Sequence, residues 1–342
     1  MLWGVRLVCA ALLIVAVGRR PLSLAAAAEP RPARSAEYKW DTTWPKPQAA
    51  DFGSTHGGVA VDAKGRIFLC SDTAPAVRIF SAEGELLGSW GADLAGGLHG
   101  IVLVREGERE LLYLAHTERH EVLVCSLEGE VQRRIPWPQA SGLYSSEDQY
   151  KPTSVAVAEG GVVFVADGYG QSYVHRFDAS GRWLSAFGGP GKEPGKLNTP
   201  HGIAIDRRQT PTTLLVADRE NGRLQRFGLD GSFLGVIEAQ LRRPCGVAVF
   251  ENLLAVPDLA GRVTLLGAKD QLIAHLFDNP SPQLRANNGV GRELWKSGEF
   301  LAPHGAAFDA KGNLYVQDWL ALGRVTRLLR NEEAGNDQKE PK

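Results

Sequence analysis

Short apolar runs separated by turn residues recur six times along the chain. Each unit starts with a short run of small and β-branched residues, and a turn then leads to a second apolar run. A third run ends in an aromatic or apolar residue, and a glycine turn leads to a fourth. Such runs, bounded by glycine turns, are typical of β-strands. The units begin, roughly 40–60 residues apart, at Gly57, His99, Thr153, His201, Cys245 and His304.

Four strands per unit, repeated six times, predict an all-β six-bladed β-propeller. The second strands are expected at residues 66–70, 162–166, 214–217 and 313–317. The last unit has room for about three strands. Segment 38–44 is a plausible strand left over near the other end of the chain, and it is expected to complete the sixth blade. That pairing would close the ring and remove exposed strand edges.

The remaining segments suggest how the chain is divided. Residues 1–28 resemble a secretory signal peptide, with Arg6, an apolar run at 7–17 and small residues at 25–28. We therefore expect a secreted or periplasmic protein, with an uncleaved N-terminal anchor as the alternative. Residues 29–50 are expected to hold a linker and the ring-closing strand, and residues 51–330 the propeller. Residues 331–342 are polar and predicted to be disordered.

Composition narrows the classes of function. The net charge of −1 implies no basic surface for nucleic acid, and the apolar run at 7–17 is too short for an ordinary membrane span. The 39 glycines and 19 prolines fit a chain with many turns. Beyond the predicted signal, Cys70, Cys125 and Cys245 form an odd set, which does not indicate a disulfide framework. We expect a monomer without an integral membrane domain.

Histidine occupies the same slot in units two, four and six, as His99, His201 and His304. In a closed six-membered ring, alternate units lie about 120° apart, so the three imidazoles would converge on one axis. Three histidines with an open position form a catalytic zinc arrangement. The alternative is a set of polar channel residues bound to water. His56 is one position out of register and is excluded from the set, and Cys245 is either a soft fourth ligand or a small channel residue.

A second candidate set follows the second strands. In a propeller, these strand ends share a face with the start of each first strand and with the long insertions at 140–151, 189–199 and 279–301. Tyr169 and Arg219 lie there and do not recur between units, so they are candidates for moving a proton and for binding a carboxylate. A nearby cation would have to lower the pKa of Tyr169 for such a role. The alternative is that both residues only cap their blades.

Aspartates recur beside these candidates, and their expected role is structural. They are placed to accept backbone N–H bonds in the turns that follow the second strands. The recurring residues are Asp167, Asp218, Asp258 and Asp318.

At these positions the chain resembles the NHL-repeat propellers and, within them, the peptidyl-α-hydroxyglycine α-amidating lyase domain. The similar stretches are Lys151-Pro-Thr-Ser-Val-Ala-Val, Val165-Ala-Asp-Gly-Tyr169, Pro200-His201-Gly-Ile-Ala-Ile, Val216-Ala-Asp-Arg219-Glu-Asn-Gly-Arg-Leu-Gln and Pro303-His304. The resemblance implies zinc held by His99, His201 and His304, a catalytic Tyr169 and a carboxylate-binding Arg219. It implies cleavage of the C–N bond of a peptidyl-hydroxyglycine to a peptide amide and glyoxylate.

Two positions depart from the family pattern. A second active-site arginine is replaced by Asp72, which would repel a substrate carboxylate, and an acidic calcium ligand is replaced by Gly305. Calcium would then depend on backbone carbonyls such as those of Val59 and Ile101. The expected partner is a small molecule or peptide with a carboxylate. The alternatives are a non-catalytic NHL propeller that binds a protein, peptide or glycan, and a lactonase-like calcium hydrolase, for which no Glu/Asn/Asp ligand set is visible.

Overall fold

The computed structural model describes Met1 and residues 37–46 and 52–331. The predicted signal, most of the predicted linker and nearly all of the predicted tail lie outside these residues, so those boundaries stay predictions. No helix in the described part of the chain is long and apolar enough to cross a membrane.

The described residues form six four-stranded antiparallel sheets, which confirms the predicted all-β six-bladed propeller. Blades one and two comprise β2 (Val59–Val61), β3 (Ile67–Cys70), β4 (Val77–Phe80), β5 (Leu86–Trp90), β6 (Leu98–Glu106), β7 (Arg109–His116), β8 (Glu121–Cys125) and β9 (Val131–Ile135). Blades three and four comprise β10 (Ser154–Val157), β11 (Val163–Ala166), β12 (Tyr173–Phe177), β13 (Trp183–Gly188), β14 (Pro200–Asp206), β15 (Thr213–Asp218), β16 (Arg223–Phe227) and β17 (Phe233–Ile237). Blades five and six comprise β18 (Ala248–Phe250), β19 (Leu253–Asp258), β20 (Arg262–Leu266), β21 (Leu272–Leu276), β22 (Pro303–Phe308), β23 (Leu314–Asp318), β24 (Arg324–Arg330) and β1 (Tyr38–Trp40).

Short 3-10 turns occupy several connections. They span Ala92–Leu94, Thr117–Arg119, Gln139–Ser141, Glu147–Gln149, Glu159–Gly161, Arg219–Asn221, Pro282–Leu284 and Arg292–Leu294.

Aspartate and glycine shape the hairpins between first and second strands. In blade one, a carboxylate oxygen of Asp62 accepts hydrogen bonds from the backbone N–H groups of Lys64 and Arg66, and Gly65 adopts a φ of 77°. Asp309 and Gly312 repeat this arrangement in blade six, where φ is 79°. A side chain that caps its own turn fixes the hairpin register, and therefore fixes which residues of the first strand face the axis.

The hydrophobic core lies between neighbouring blades. Phe68 and Cys70 of blade one pack with Leu112 and Cys125 of blade two in one buried cluster. The equivalent strands of other blades are buried on both faces, because each second strand is covered by the blade on either side. Cys70, Cys125 and Cys245 are buried free thiols.

The sixth blade is completed by a strand from near the other end of the described chain. Strand β1 pairs antiparallel with β24, with Tyr38 opposite Arg330. This strand ends at Trp40, earlier than residue 44 in the sequence prediction. Thr55 and Leu320 add a second connection between blades one and six, since each backbone N–H donates to the carbonyl of the other.

Tyr38→Ala tests how strongly β1 holds blade six. The Tyr38 side chain is fully buried, and its hydroxyl donates to the carbonyl of Gly312 at 3.0 Å. Its removal is expected to lower the free energy of unfolding by about 3–5 kcal/mol, measured by urea denaturation. Lys39→Ala, at an exposed position of the same strand, should change it by less than about 0.5 kcal/mol. Equal effects of the two substitutions would contradict this role for β1.

Candidate metal centre

The three predicted histidines meet at the ring axis. The ring centroids lie 4.7 Å apart for His99 and His201, 4.9 Å for His99 and His304, and 4.6 Å for His201 and His304. Each histidine belongs to the first strand of an even-numbered blade. The near-equilateral triangle follows from the six-fold ring, because alternate blades contribute the same position.

Each imidazole is oriented by the next blade around the ring. The Nδ1 atoms of His99, His201 and His304 lie 2.7, 2.8 and 2.9 Å from the carbonyl oxygens of Thr153, Cys245 and Gly57, respectively. A carbonyl can only accept, so Nδ1 carries the proton in all three rings. Each Nε2 is therefore unprotonated, which is the tautomer that a metal requires when the second nitrogen is anchored.

The glycine after each histidine makes this anchoring possible. A Cβ at Gly100 would lie 2.6 Å from the carbonyl oxygen of Thr153, and one at Gly202 would lie 2.4 Å from that of Cys245. A Cβ at Gly305 would lie 2.5 Å from the carbonyl oxygen of Gly57. These carbonyls are the acceptors for the three imidazoles. The His-Gly pair is thus one structural unit, in which glycine admits the carbonyl that orients the histidine.

Burial keeps the three imidazoles neutral. All three side chains are buried, and desolvation lowers the pKa of each well below its usual value. The Nε2 atom of His304 is buried and has no hydrogen-bond partner in the structure. A buried polar nitrogen without a partner is costly. The donor set, three neutral imidazoles with one orphaned nitrogen, therefore fits a metal cation.

Tyr169 lies along one edge of the triangle. Its hydroxyl is 3.2 Å from Nε2 of His99 and 3.0 Å from Nε2 of His201. Arg219 donates from Nη1 to the same hydroxyl at 3.3 Å, and its guanidinium lies over the Tyr169 ring. Burial raises the pKa of Tyr169, and Arg219 opposes this shift without reversing it. Arg219 therefore acts on this pKa in the direction that proton transfer requires, although burial has the larger effect.

The other two edges carry different groups. Two sets of residues offer ligand atoms within 4.8 Å of one another. One is His56 with His99 and His304, and the other is Cys245 with His201 and His304. Burial raises the pKa of the Cys245 thiol to about 12, so it is a neutral thiol in the folded chain. Cys245 therefore lies beside the histidines. Both sequence interpretations, a soft fourth ligand and a small channel residue, are compatible with this position.

The structure places His56 beside the histidine triangle, a position that the strand register does not predict. His56 precedes the start of β2 and does not follow the strand register on which the sequence argument depended. The chain before it is held against blade six by the pairing of Thr55 with Leu320, and this places the imidazole beside the triangle. The sequence signal for this position was that His56 directly precedes Gly57, which starts the first unit where other units have a histidine.

Asp72, which stands where the resemblance would place an arginine, belongs to a polar cluster around His56. Oδ2 of Asp72 accepts from the Ser54 hydroxyl at 3.0 Å, and Oδ1 lies 3.5 Å from Nδ1 of His56.

A second guanidinium, that of Arg243, lies on the side of the site away from His56. Glu220 accepts from Nε of Arg219 at 2.9 Å and from Nη2 of Arg243 at 2.6 Å, so the two arginines share one carboxylate. Nε of Arg243 is buried without a hydrogen-bond partner. Sequence inspection missed Arg243 because it lies in the segment that precedes blade five.

The aspartates that end the second strands have the structural role predicted for them. Asp167 accepts from the backbone N–H groups of Lys151 and Gln171, and Asp318 accepts from those of Leu301 and Ala302. Asp218 and Asp258 bind the segments before blades four and five in the same way. These bonds fix the inter-blade insertions on the face that carries Tyr169 and Arg219.

A cavity of about 960 Å³ follows the ring axis on one side of the triangle. Its walls are the first strands of all six blades, including the three histidines and Cys245. Tyr169, Arg219 and His56 do not line it. The histidines therefore separate this channel from the face that carries the other candidate residues.

No family model matches the chain. Among curated proteins it is similar to a probable peptidyl-α-hydroxyglycine α-amidating lyase of Caenorhabditis elegans, with 29% identity over 70% of this chain and 66% of the relative. It is 33% identical to an amidating lyase of Drosophila melanogaster over 49% of this chain and 39% of that protein. A peptidyl-glycine α-amidating monooxygenase of Mus musculus is 30% identical over 43% of this chain, which spans only 15% of that protein. The resemblance predicted from the motifs is confirmed.

Solved structures support the fold. A streptogramin B lyase superimposes with a TM-score of 0.57 at 12% identity, covering 86% of this chain and 98% of that one. A gluconolactonase from Xanthomonas campestris superimposes with a TM-score of 0.60 at 14% identity, covering 87% and 92%. At these identities the likeness shows the propeller architecture alone.

The glycine at the expected calcium position has a structural explanation. A Cβ at Gly305 would also lie 2.7 Å from the Cα of Gly58, so blades one and six leave no room for an acidic side chain. The two candidate metal clusters among the described residues consist of histidine and cysteine. The donor set described here therefore fits a transition metal better than calcium, which prefers oxygen ligands.

Gly305→Ala tests whether the glycine admits the orienting carbonyl. The added methyl group should force blades one and six apart and lower the free energy of unfolding by about 1–3 kcal/mol in urea denaturation. Gly88→Ala is the matched control, because nothing lies within 4 Å of a Cβ built there. If Gly305→Ala were as stable as Gly88→Ala, the close approach of Gly57 to Gly305 would not constrain the site.

Proposed function

We propose that this chain is a zinc-dependent lyase that cleaves the C–N bond of a peptidyl-α-hydroxyglycine or a related small substrate. The observation that carries the proposal is the placement of one hydroxyl group. Tyr169 Oη is within hydrogen-bond distance of two Nε2 atoms of the histidine triangle and of the Arg219 guanidinium. The similarity to amidating lyases supports the same chemistry.

The reaction needs no external oxidant or reductant. The substrate hydroxyl loses its proton, the carbon–oxygen bond becomes a carbonyl, and the C–N bond breaks with its electron pair going to nitrogen. The nitrogen then takes up one proton, which gives a peptide amide and glyoxylate. The reaction thus requires one proton to leave an oxygen and one to reach a nitrogen close by.

We assign the side chains of the site to these steps. His99, His201 and His304 would hold zinc through Nε2, and bound zinc supplies a Lewis acid for the substrate hydroxyl. Tyr169 lies beside those nitrogens and would move the proton between oxygen and nitrogen. Arg219 would bind the substrate carboxylate, since a guanidinium matches a carboxylate bidentately.

Arg243 is proposed to take the place of the missing family arginine. It shares Glu220 with Arg219, so a substrate carboxylate near Arg219 would also feel its charge. The oxygens of Asp72 face His56 and Ser54. The substrate class is therefore a small molecule or peptide that ends in a carboxylate next to the scissile bond.

We also propose that the protein is exported. The support is the pattern of Arg6, the apolar run at 7–17 and the small residues at 25–28.

Glyoxylate release tests the proposed reaction. The zinc-loaded protein should convert an α-hydroxyglycine test peptide to equal amounts of peptide amide and glyoxylate. Tyr169→Phe should lower kcat by roughly 10²–10⁴-fold, because it removes the proton-transfer group without removing a zinc ligand. Tyr173→Phe is the matched control and should retain wild-type kcat, since Tyr173 lies on the third strand of blade three.

Two results would contradict the proposal. A wild-type protein that holds zinc and releases no glyoxylate would favour a propeller that only binds its ligand. Equal activity of Tyr169→Phe and Tyr173→Phe would remove Tyr169 from the mechanism. Zinc content should be measured for each variant, so that loss of metal is separated from loss of proton transfer.

A further inference from the structure

We propose that Tyr144 and His175 are positioning residues for the reaction, and that they act through Asp167 on the turn that carries Tyr169. This inference rests on the proposed role of Tyr169 in proton transfer. It concerns buried polar groups of blade three and of the insertion that precedes this blade.

Three side chains lead to the Asp167 carboxylate through a chain of hydrogen bonds. The Tyr144 hydroxyl donates to Oδ2 of Asp167 at 2.6 Å and lies 2.7 Å from Nε2 of His175. The indole N–H of Trp183 donates to Nδ1 of His175 at 3.3 Å. An indole nitrogen can only donate, so Nδ1 accepts and a neutral His175 carries its proton on Nε2. The bonds therefore run in one direction, from Trp183 through His175 and Tyr144 to the carboxylate.

Burial determines the charge of each member of this chain. His175 and Asp167 are fully buried, and Tyr144 is nearly so. Burial lowers the pKa of His175 to about 3 and raises the pKa of Tyr144, so both side chains are neutral. Burial also raises the pKa of Asp167 to about 6, and the hydrogen bond from Tyr144 is the largest of the effects that oppose this shift. The carboxylate form of Asp167 is thus supported by the Tyr144 hydroxyl.

Blade three holds its aspartate differently from the three blades that follow it. In blades four, five and six, an arginine at the start of the third strand pairs with the aspartate that follows the core of the second strand. These pairs are Arg223 with Asp218, Arg262 with Asp258, and Arg324 with Asp318. Tyr173 stands at the corresponding position of blade three, and the Tyr144 hydroxyl donates to the carboxylate there. The blade that carries Tyr169 therefore uses a residue of the preceding insertion where the others use an arginine.

Asp167 transmits this constraint to the main chain around Tyr169. Oδ1 of Asp167 accepts from the backbone N–H of Lys151 at 2.7 Å, and Oδ2 accepts from that of Gln171 at 2.6 Å. The backbone N–H of Tyr169 donates to the carbonyl of Lys151 at 3.3 Å. A Cβ at Gly170 would lie 2.1 Å from Oδ1 of Asp167, so the turn is packed directly against the carboxylate. The carboxylate thus fixes the main chain from which the Tyr169 hydroxyl reaches the histidine triangle.

Tyr144→Phe tests this role, because it keeps the ring and removes only the hydroxyl. In the zinc-loaded full-length protein it should lower kcat for the α-hydroxyglycine test peptide by roughly 10–100-fold with KM unchanged, since a misplaced group slows the reaction without weakening substrate binding. Zinc content should not change, because the carbonyl that orients His99 belongs to Thr153, which is held separately by a backbone bond to Ala166. Tyr150→Phe is the matched control and should retain wild-type kcat. The buried Tyr150 hydroxyl has no hydrogen-bond partner among the described residues.

Two further comparisons separate positioning from a general loss of structure. In a Tyr169→Phe background, Tyr144→Phe should change kcat by less than about twofold, since the group that it positions is already absent. His175→Gln keeps one donor and one acceptor and should retain most of the wild-type kcat, whereas His175→Leu should lose about as much as Tyr144→Phe.

Hydrogen exchange followed by mass spectrometry gives a readout that does not depend on activity. The backbone amides of Lys151 and Gln171 should exchange faster in Tyr144→Phe than in Tyr150→Phe, because both amides donate to the carboxylate that Tyr144 supports.

Equal kcat, or equal exchange, in Tyr144→Phe and Tyr150→Phe would overturn the positioning role. The same fall in kcat from Tyr144→Phe with and without the Tyr169 hydroxyl would also overturn it, because the effect would then not pass through Tyr169. A zinc-loaded wild type that releases no glyoxylate would instead overturn the proposed function and the part of these residues in its reaction. Hydrogen exchange would still decide whether Tyr144 fixes the turn, so the two failures are distinguishable.

Discussion

Three hydrogen bonds between neighbouring blades determine the geometry of the centre. Each runs from the Nδ1 atom of an inner histidine to the backbone carbonyl at the start of the next blade. The carbonyl can approach only because glycine follows each histidine. The bond fixes the ring plane and the tautomer, and it leaves Nε2 as the nitrogen available to a metal. The orientation of all three rings therefore depends on correct contact between consecutive blades, including the contact of blade six with blade one.

The alternation of blades produces a centre with approximate three-fold symmetry and three different edges. Even-numbered blades contribute the histidines, whereas the edges carry groups from odd-numbered blades or from the segment before blade one. Tyr169 lies on one edge, Cys245 on the second and His56 on the third. A symmetric set of three imidazoles is thus combined with an asymmetric surrounding, in which one edge carries a hydroxyl group beside a guanidinium.

The fold and the triangle were predictable because both follow from register. Strand periodicity and turn residues predict the blades, and a residue type that recurs in alternate blades must converge on the axis. The place of His56 was not predictable for the opposite reason: it depends on the pairing of Thr55 with Leu320, residues far apart in sequence. Arg243 was missed because it lies in the segment that precedes blade five and joins the site through the carboxylate of Glu220 that it shares with Arg219. Gly305 suggested a lost ligand, but the packing of Gly57 and Gly58 against it explains the glycine. The pKa of Tyr169 also depends on burial, which no local motif reports.

Anomalous diffraction from zinc-soaked crystals tests the central claim most directly. The account predicts a single strong peak on the ring axis, about 2 Å from Nε2 of His99, His201 and His304, with Nδ1 of each ring still bound to its carbonyl. A zinc-saturated crystal with no peak at the triangle, or with a peak bound through Nδ1 after the carbonyl bonds have broken, would contradict it.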